Sequence, residues 1–280
     1  MTDLIHEIAR SLNTGAVIPY LGPEMLSLCP DCAVPATPLA LAESMTAKVS
    51  VPHKIRKRLT QAAQFIENFK HRKSVVHLMN EAFATSPAPS PLHLALASSG
   101  AGLWVDTWYD DTFAKALAQV ALQGGWAQTQ GLSQSEHFGN WTGDYAADGS
   151  LLPELPAGAR LLYKPLGSHA PAGNYLVSDS DFVEVLTEID IQTPIPAAVQ
   201  AWRTGRNFLF LGCRFDDQLT RCFARQIMKR SSDRHWAVLP QEPTRMEARF
   251  LQEQNITRID LPLDQFASAL VNALQPAVAA

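Results

Sequence analysis

From residue 103 onward, short apolar runs alternate with amphipathic stretches, and that alternation leaves few folds open. Gly102–Thr107, Arg160–Lys164, Asn207–Leu211, His235–Leu239 and Thr257–Asp260 have the length and content of buried strands. Helical spacing fills the gaps: through Phe113, Leu117, Val120 and Leu122, from Asp181 to Leu186, from Ala197 to Trp202, from Asp217 to Met228, around 245–254 and around 266–274. Strands separated by helices cannot pair as hairpins. They imply an α/β chain with a mainly parallel sheet and helices on both faces.

The first hundred residues extend this scheme. Leu4, Ile5, Ile8, Ala9 and Leu12 predict a helix that stops at Asn13-Thr14-Gly15, and Ala16–Leu21 predicts a buried strand closed by Gly22-Pro23. Residues 37–100 read as a helical insertion, starting at Thr37-Pro38, broken at Pro52, and resuming at Leu92 after a proline-rich turn. Residues 124–159, with Gly124-Gly125, Trp126, Trp141 and Gly143, read as an irregular, solvent-facing segment. Within that limit the reading is one domain over 1–280.

Composition narrows the function classes. A chain of 280 residues with 46% hydrophobic content supports a large core without staples. The net charge of -4 is spread without long blocks, and the densest basic stretch, Lys54-Ile55-Arg56-Lys57-Arg58, falls in a helical pattern as a solvated face. No nucleic-acid partner is expected. Asp3 and Glu7 stand where a signal peptide needs cations, and no run approaches the roughly 18 apolar residues that span a bilayer. Four cysteines in such a chain are no disulfide framework. The expectation is a cytoplasmic protein with no membrane partner.

In an open parallel sheet, ligands bind where loops leave the carboxyl ends of the strands. Leu21–Leu26, Asp106–Asp111, Lys164–Ser168 and Gly212–Asp217 are those loops. Each alone fits a strand-ending glycine and a helix-capping aspartate. Their order and separation together resemble bacterial sirtuin-like domains, which pair a Gly-Ala-Gly-x-Ser loop with later Thr-Asn-Tyr-Asp, Leu-His-Gly-Ser and Gly-x-Ser-x-x-Asp elements. The likeness runs from about Val17 to the last helix. It implies a Rossmann-like fold and an NAD site built from Gly22, Glu24, Tyr109, Asp110, Gly167, Ser168, Gly212 and Asp216.

The departures from that pattern bear on chemistry. Glu24 falls on the family's second glycine, where a side chain and a negative charge oppose a pyrophosphate. Trp108 falls on the family's asparagine and offers no carbonyl acceptor. Leu166 falls on the general-base histidine and has no titratable proton. Trp108 and Leu166 are expected to fill the old nicotinamide site, with Asp110 and His169 as substitute polar groups if activity persists.

Cys29-Pro30-Asp31-Cys32 adds a Cys-x-x-Cys pair after the first loop, and Cys213 follows a strand toward the same sheet edge. The pair supplies two thiolates where a closed zinc site takes four ligands, so a zinc or iron-sulfur site needs Cys213, Cys222, a histidine or a second chain in a homodimer. Inert thiols and a thiol-redox pair are the alternatives, with Pro35 and Pro38 favouring a loop.

Three readings of function follow. The first is a catalytically degenerate sirtuin-like protein acting in a regulatory or accessory role, binding a partner protein or sensing a ligand. The second is an NAD-binding or NAD-hydrolysing enzyme with a remodelled site, and the third a Cys-x-x-Cys metal protein.

Overall fold

A computed structural model describes residues 2–120, 122, 125–188 and 195–274. Gly124 and the extreme C-terminus of the proposed single domain lie outside them. Helix α1 (Thr2–Asn13) leads into strand β1 (Val17–Leu21), a 3-10 helix (Pro23–Leu28), and helices α2 (Pro38–Lys48), α3 (Leu59–Lys70), α4 (Arg72–Ala82) and α5 (Pro91–Ser98). Strand β2 (Leu103–Asp106) and helix α6 (Thr112–Gln119) precede strands β3 (Trp126–Gly131), β4 (Thr142–Ala146), β5 (Leu151–Leu152) and β6 (Arg160–Lys164). A small ladder of β7 (Gly167–Ser168) and β8 (Asn174–Tyr175) comes next, then helices α7 (Asp179–Glu188) and α8 (Ala197–Arg203). The chain closes with β9 (Asn207–Leu211), α9 (Gln218–Met228), β10 (His235–Val238), α10 (Arg245–Glu253), β11 (Ile256–Ile259) and α11 (Leu263–Leu274).

Local signals explain several helix starts. Thr37 accepts from Ala40 N–H with Pro38 in the first helical position, Ser90 forms a capping box with His93, and Thr244 forms one with Glu247.

The strands assemble in the order β11-β10-β9-β1-β2-β6-β3-β4-β5. Every pair from β11 to β3 is parallel, and β4 and β5 add antiparallel strands at one edge. Side-chain alternation sorts the core into two faces. Ile18, Tyr20, Val105, Tyr163, Phe208 and Phe210 face helices α7 to α10. Val17, Leu21, Trp104, Leu162, Leu209 and Leu211 face α1, α5, α6 and α11. The mainly parallel sheet with helices on both faces is the architecture that the strand-helix alternation implies.

Helices α2 to α4 form a third packing centre over the carboxyl end of the sheet, where Leu41, Met45, Ile66, Met79 and Phe83 meet Trp108, Tyr109 and Tyr175. Arg72 fastens this unit. Its guanidinium donates to Asp181 at 2.9 Å, to Glu136 at 3.1 Å and to the Tyr175 carbonyl.

Two sequence expectations need correction. Residues 126–152 contain three strands, and β3 is largely buried beside β6. Its sequence, Trp-Ala-Gln-Thr-Gln-Gly, hides this because the buried polar groups are satisfied by tertiary partners. Gln128 donates to Ala170 O at 3.1 Å, and Gln130 donates to Ser168 O at 3.2 Å while accepting from Ala172 N–H. Second, Lys54–Arg58 is a series of tight turns ahead of α3, not a helix face. Ile55 is the only member of that stretch to pack on the core of the helical unit, too little apolar surface to hold a helix there.

His235 joins two central strands through its side chain. Its Nδ1 accepts from Phe208 N–H at 2.9 Å, and burial lowers the imidazole to about 4. The folded state therefore holds it neutral, and its contribution to stability is complete above the unfolded value of about 6.5 and lost as pH falls toward 4. The urea midpoint is expected to drop over that window. His235→Leu is expected to lower neutral-pH stability by about 1–3 kcal/mol, because Phe208 N–H loses its acceptor, while flattening the pH dependence. An unchanged acid limb in the variant would assign the sensitivity elsewhere.

Candidate functional site

Strands β9, β1, β2 and β6 are neighbours, so the four loops singled out in the sequence leave the sheet side by side. β1 is paired with β9 on one side and β2 on the other, which makes the β1/β9 exit a point where strand order reverses. A cleft of about 660 Å³ opens there, inside the range of roughly 300–1,000 Å³ that small-molecule sites occupy. Glu24, Trp108, Leu166, Arg214 and Asp216 contribute to its walls from the sheet side, and residues 57–61 from the helical unit.

The floor of the cleft is set by two glycines that cross. A Cβ on Gly22 would lie 2.3 Å from the Gly212 carbonyl oxygen, and one on Gly212, at φ +64°, would lie 2.5 Å from Met25 N. Both glycines are therefore required by loop-on-loop packing. The crossing also consumes the backbone donors of the first loop. Gly22 N–H donates to Leu211 O at 2.9 Å, Glu24 N–H to Gly212 O at 3.1 Å, and Met25 N–H to Gly22 O at 3.2 Å. A phosphate cradle needs such amides free.

Glu24 lines the cleft with no hydrogen-bond partner for its carboxylate among the described residues. Burial raises its pKa, Arg214 opposes the rise and Asp216 adds to it. Trp108 is 3% exposed, its indole N–H donates to Pro35 O at 2.8 Å, and its ring meets Phe83 edge-on at 5.9 Å. Leu166 packs against both the sheet core and the helical unit. Trp108 and Leu166 were expected to fill the site, yet they form its wall and the cleft stays open. The indole turns toward Pro35 because an acceptor waits there.

The loop after β2 is fixed from beneath by a buried ion pair. Lys164 Nζ donates to Asp106 Oδ2 at 2.7 Å and to Asp110 O at 2.7 Å, and Asp106 Oδ1 accepts from Trp108 N–H at 3.1 Å. Burial pushes Asp106 up to about 6 against the pull of Lys164. Asp110 spends its own carboxylate on Thr112 N–H at 2.9 Å. Ser168 donates to Tyr109 O and Asp110 O at 3.3 Å, and Tyr109 OH donates to Leu176 O at 2.8 Å. His169 sits beside Tyr175 OH at 3.3 Å with its backbone N–H on Tyr109 O.

Of the residues expected at the site, Glu24, Trp108, Tyr109, Leu166, Gly212, Cys213 and Asp216 border the cleft. Gly22, Asp110, Gly167, Ser168 and His169 support it from behind. The three thiols do not gather: Cys32 stays beside Cys29 on the helical unit, and Cys213 lies apart. Cys29 belongs to the core of the helical unit and Cys213 to that of the sheet, where its Sγ approaches Tyr20 O. Burial pushes the Cys29 thiol up to about 11, and burial with nearby Glu24 raises Cys213. Among the described residues no three His, Cys, Asp or Glu side chains are placed to hold a metal ion.

Sequence reasoning missed the anchor of the β9 exit loop. Glu247, fully buried at the start of α10, accepts from Arg214 Nε at 3.0 Å and Nη2 at 2.9 Å, from Phe215 N–H at 3.0 Å and from Thr244 N–H at 2.9 Å. Burial alone would raise this carboxyl, and those hydrogen bonds overcome it and hold it at about 2. The Thr-x-x-Glu capping spacing at 244–247 was the available signal, though it does not reveal the second partner.

Lys164→Met is expected to cost about 3–5 kcal/mol at pH 7.5, because Asp106 is left charged and unpaired in the interior. The raised Asp106 pKa means that the folded variant takes up a proton as pH falls, so the loss is expected to shrink near pH 5. Urea unfolding at the two pH values measures both, and an equal loss at each would contradict the buried-charge account.

No described helix is long and apolar enough to cross a membrane. No match was found among curated proteins. A family model of the SIR2-like domain matches residues 103–259, more than half of the chain, and begins at β2, so the β1 loop with Gly22 and Glu24 lies outside the matched span. By that match, and with a parallel sheet whose loops converge on one cleft, the chain belongs to the SIR2-like domain family.

Proposed function

We propose that this protein keeps the SIR2-like cleft as a binding site for a small ligand and has given up cleavage of the nicotinamide–ribose bond. The observation that carries the reading is an open cleft of about 660 Å³ with Trp108 and Leu166 on its walls, the two residues that the resemblance aligns with the family's asparagine and histidine. A cleft at the strand-order reversal is where an α/β sheet receives a ligand, and the crossing of Gly22 and Gly212 holds it in shape. General-base chemistry needs a titratable group within hydrogen-bond reach of the reacting atom. Leu166 supplies none, the Trp108 N–H is engaged by Pro35, and the carboxylates that line the cleft, Glu24, Asp216 and Asp217, belong to the β1 and β9 loops and not to the position of the family's histidine. Asp110 and His169, the substitutes that the sequence offers, are held by Thr112 and beside Tyr175, away from the cleft walls. The open cleft favours a ligand over a partner protein as what the scaffold holds.

Incubation with NAD, with and without an acetyl-lysine peptide, is expected to release no nicotinamide above a protein-free blank. Turnover that scales with protein and disappears in Asp110→Asn or His169→Gln would overturn the loss of chemistry. Saturation-transfer NMR with a fragment set is expected to find binders that vanish when Thr220→Trp fills the cleft. A set in which every binder survives the filled variant would contradict the retained site.

A further inference from the structure

Among the described residues three cations border the cleft, and they are not equivalent. Arg214 is committed, with two nitrogens on the buried Glu247 carboxylate and a third on Gln241. Lys57 lies 3.8 Å from Glu43, and both side chains are mostly in water, 72% and 52% exposed. An ion pair that long and that wet is worth well under about 1 kcal/mol, so it leaves Lys57 available to a better partner. Arg58 has no ion-pair partner among the described residues and is exposed on the cleft wall. Thr60 and Gln61 follow on the same wall, and neither side chain has a hydrogen-bond partner among the described residues.

Across the cleft the sign of the charge reverses. Glu24, Asp216 and Asp217 line the β1 and β9 side, and the amides of the first loop are used internally. An anionic group is repelled there and attracted to the opposite wall. We infer that the cleft takes a ligand carrying an oxyanion, a phosphate or carboxylate group, that docks on Lys57 and Arg58 with Thr60 and Gln61 beside them. The site lies on the helical unit, across the cleft from the glycine loop. Guanidinium and ammonium donors make charge-assisted hydrogen bonds to such a group, roughly twice as strong as neutral ones. This inference rests on the ligand-cleft reading and names the chemistry that the cleft recognises.

The same basic turn contains its own control. Lys54 and Arg56 are exposed cations of the same stretch that do not line the cleft. Calorimetric titration with inorganic pyrophosphate and, in parallel, citrate is expected to give saturable binding of at least one probe to the wild-type protein. Lys57→Gln with Arg58→Gln is expected to weaken it by on the order of tenfold or more, and Lys54→Gln with Arg56→Gln by less than about threefold. A preference for pyrophosphate identifies a phosphate group, and a preference for citrate a carboxylate.

Equal weakening by the two double variants would reduce the effect to diffuse charge attraction and overturn the inference, as would no binding of either probe. Probe binding that survives Thr220→Trp would put the anion outside the cleft and also overturn it. Fragment binding that is lost in Thr220→Trp while neither anion binds would leave the cleft reading standing and remove only the oxyanion. Superimposable circular-dichroism melts of the variants exclude misfolding as the cause.

Discussion

The ion pair between Lys164 and Asp106 is the constraint on which the cleft depends. Two charges are taken out of water at the ends of adjacent strands, and the arrangement holds only because each remaining polar atom finds a partner. Lys164 reaches Asp106 and the Asp110 carbonyl, and Asp106 in turn receives Trp108 N–H. The loop after β2 is thereby pinned to the end of β6, and Trp108 and Tyr109 are presented to the helical unit. Burial of two charges costs desolvation that their attraction only partly offsets, so the consequence of the pair that the structure shows is positional: it fixes one cleft wall.

The floor of the cleft is set by steric fit. Gly22 and Gly212 cross at distances that no side chain tolerates, and the crossing uses the amides that a phosphate-binding loop would leave free. Glu247 then locks the β9 loop to the start of α10 through three hydrogen bonds, so Arg214 serves the scaffold before it could serve a ligand. The cleft is preorganised by groups that face away from it.

How much of this was legible in the sequence follows from where each residue's partners lie. Strands such as Asn-Phe-Leu-Phe-Leu at 207–211 are buried on both faces, so their apolar runs announce them, and the ligand-bearing loops follow at their ends. The strand at 126–131 was illegible because its buried glutamines and threonine are satisfied by residues that come close only in the fold. The basic stretch at 54–58 was misread as helical because its apolar spacing gave no sign that Ile55 alone would find a packing surface. Glu24, Trp108 and Leu166 were found from their place in the motif order, but the way Trp108 turns depends on Pro35, 73 residues away. Cys29 and Cys213 looked adjacent along the sheet edge and instead fall into separate cores.

The central claim is that the loop which would cradle a dinucleotide pyrophosphate has its amides already engaged, those of Gly22 and Glu24 by Leu211 and Gly212 and that of Met25 by Gly22. Backbone amide chemical shifts of Gly22, Glu24 and Met25 during a titration with NAD report on that loop directly. The account predicts that these three signals stay in place up to millimolar NAD, whatever happens at the helical wall. Saturable movement of all three, with the binding curve of a single site, would contradict it.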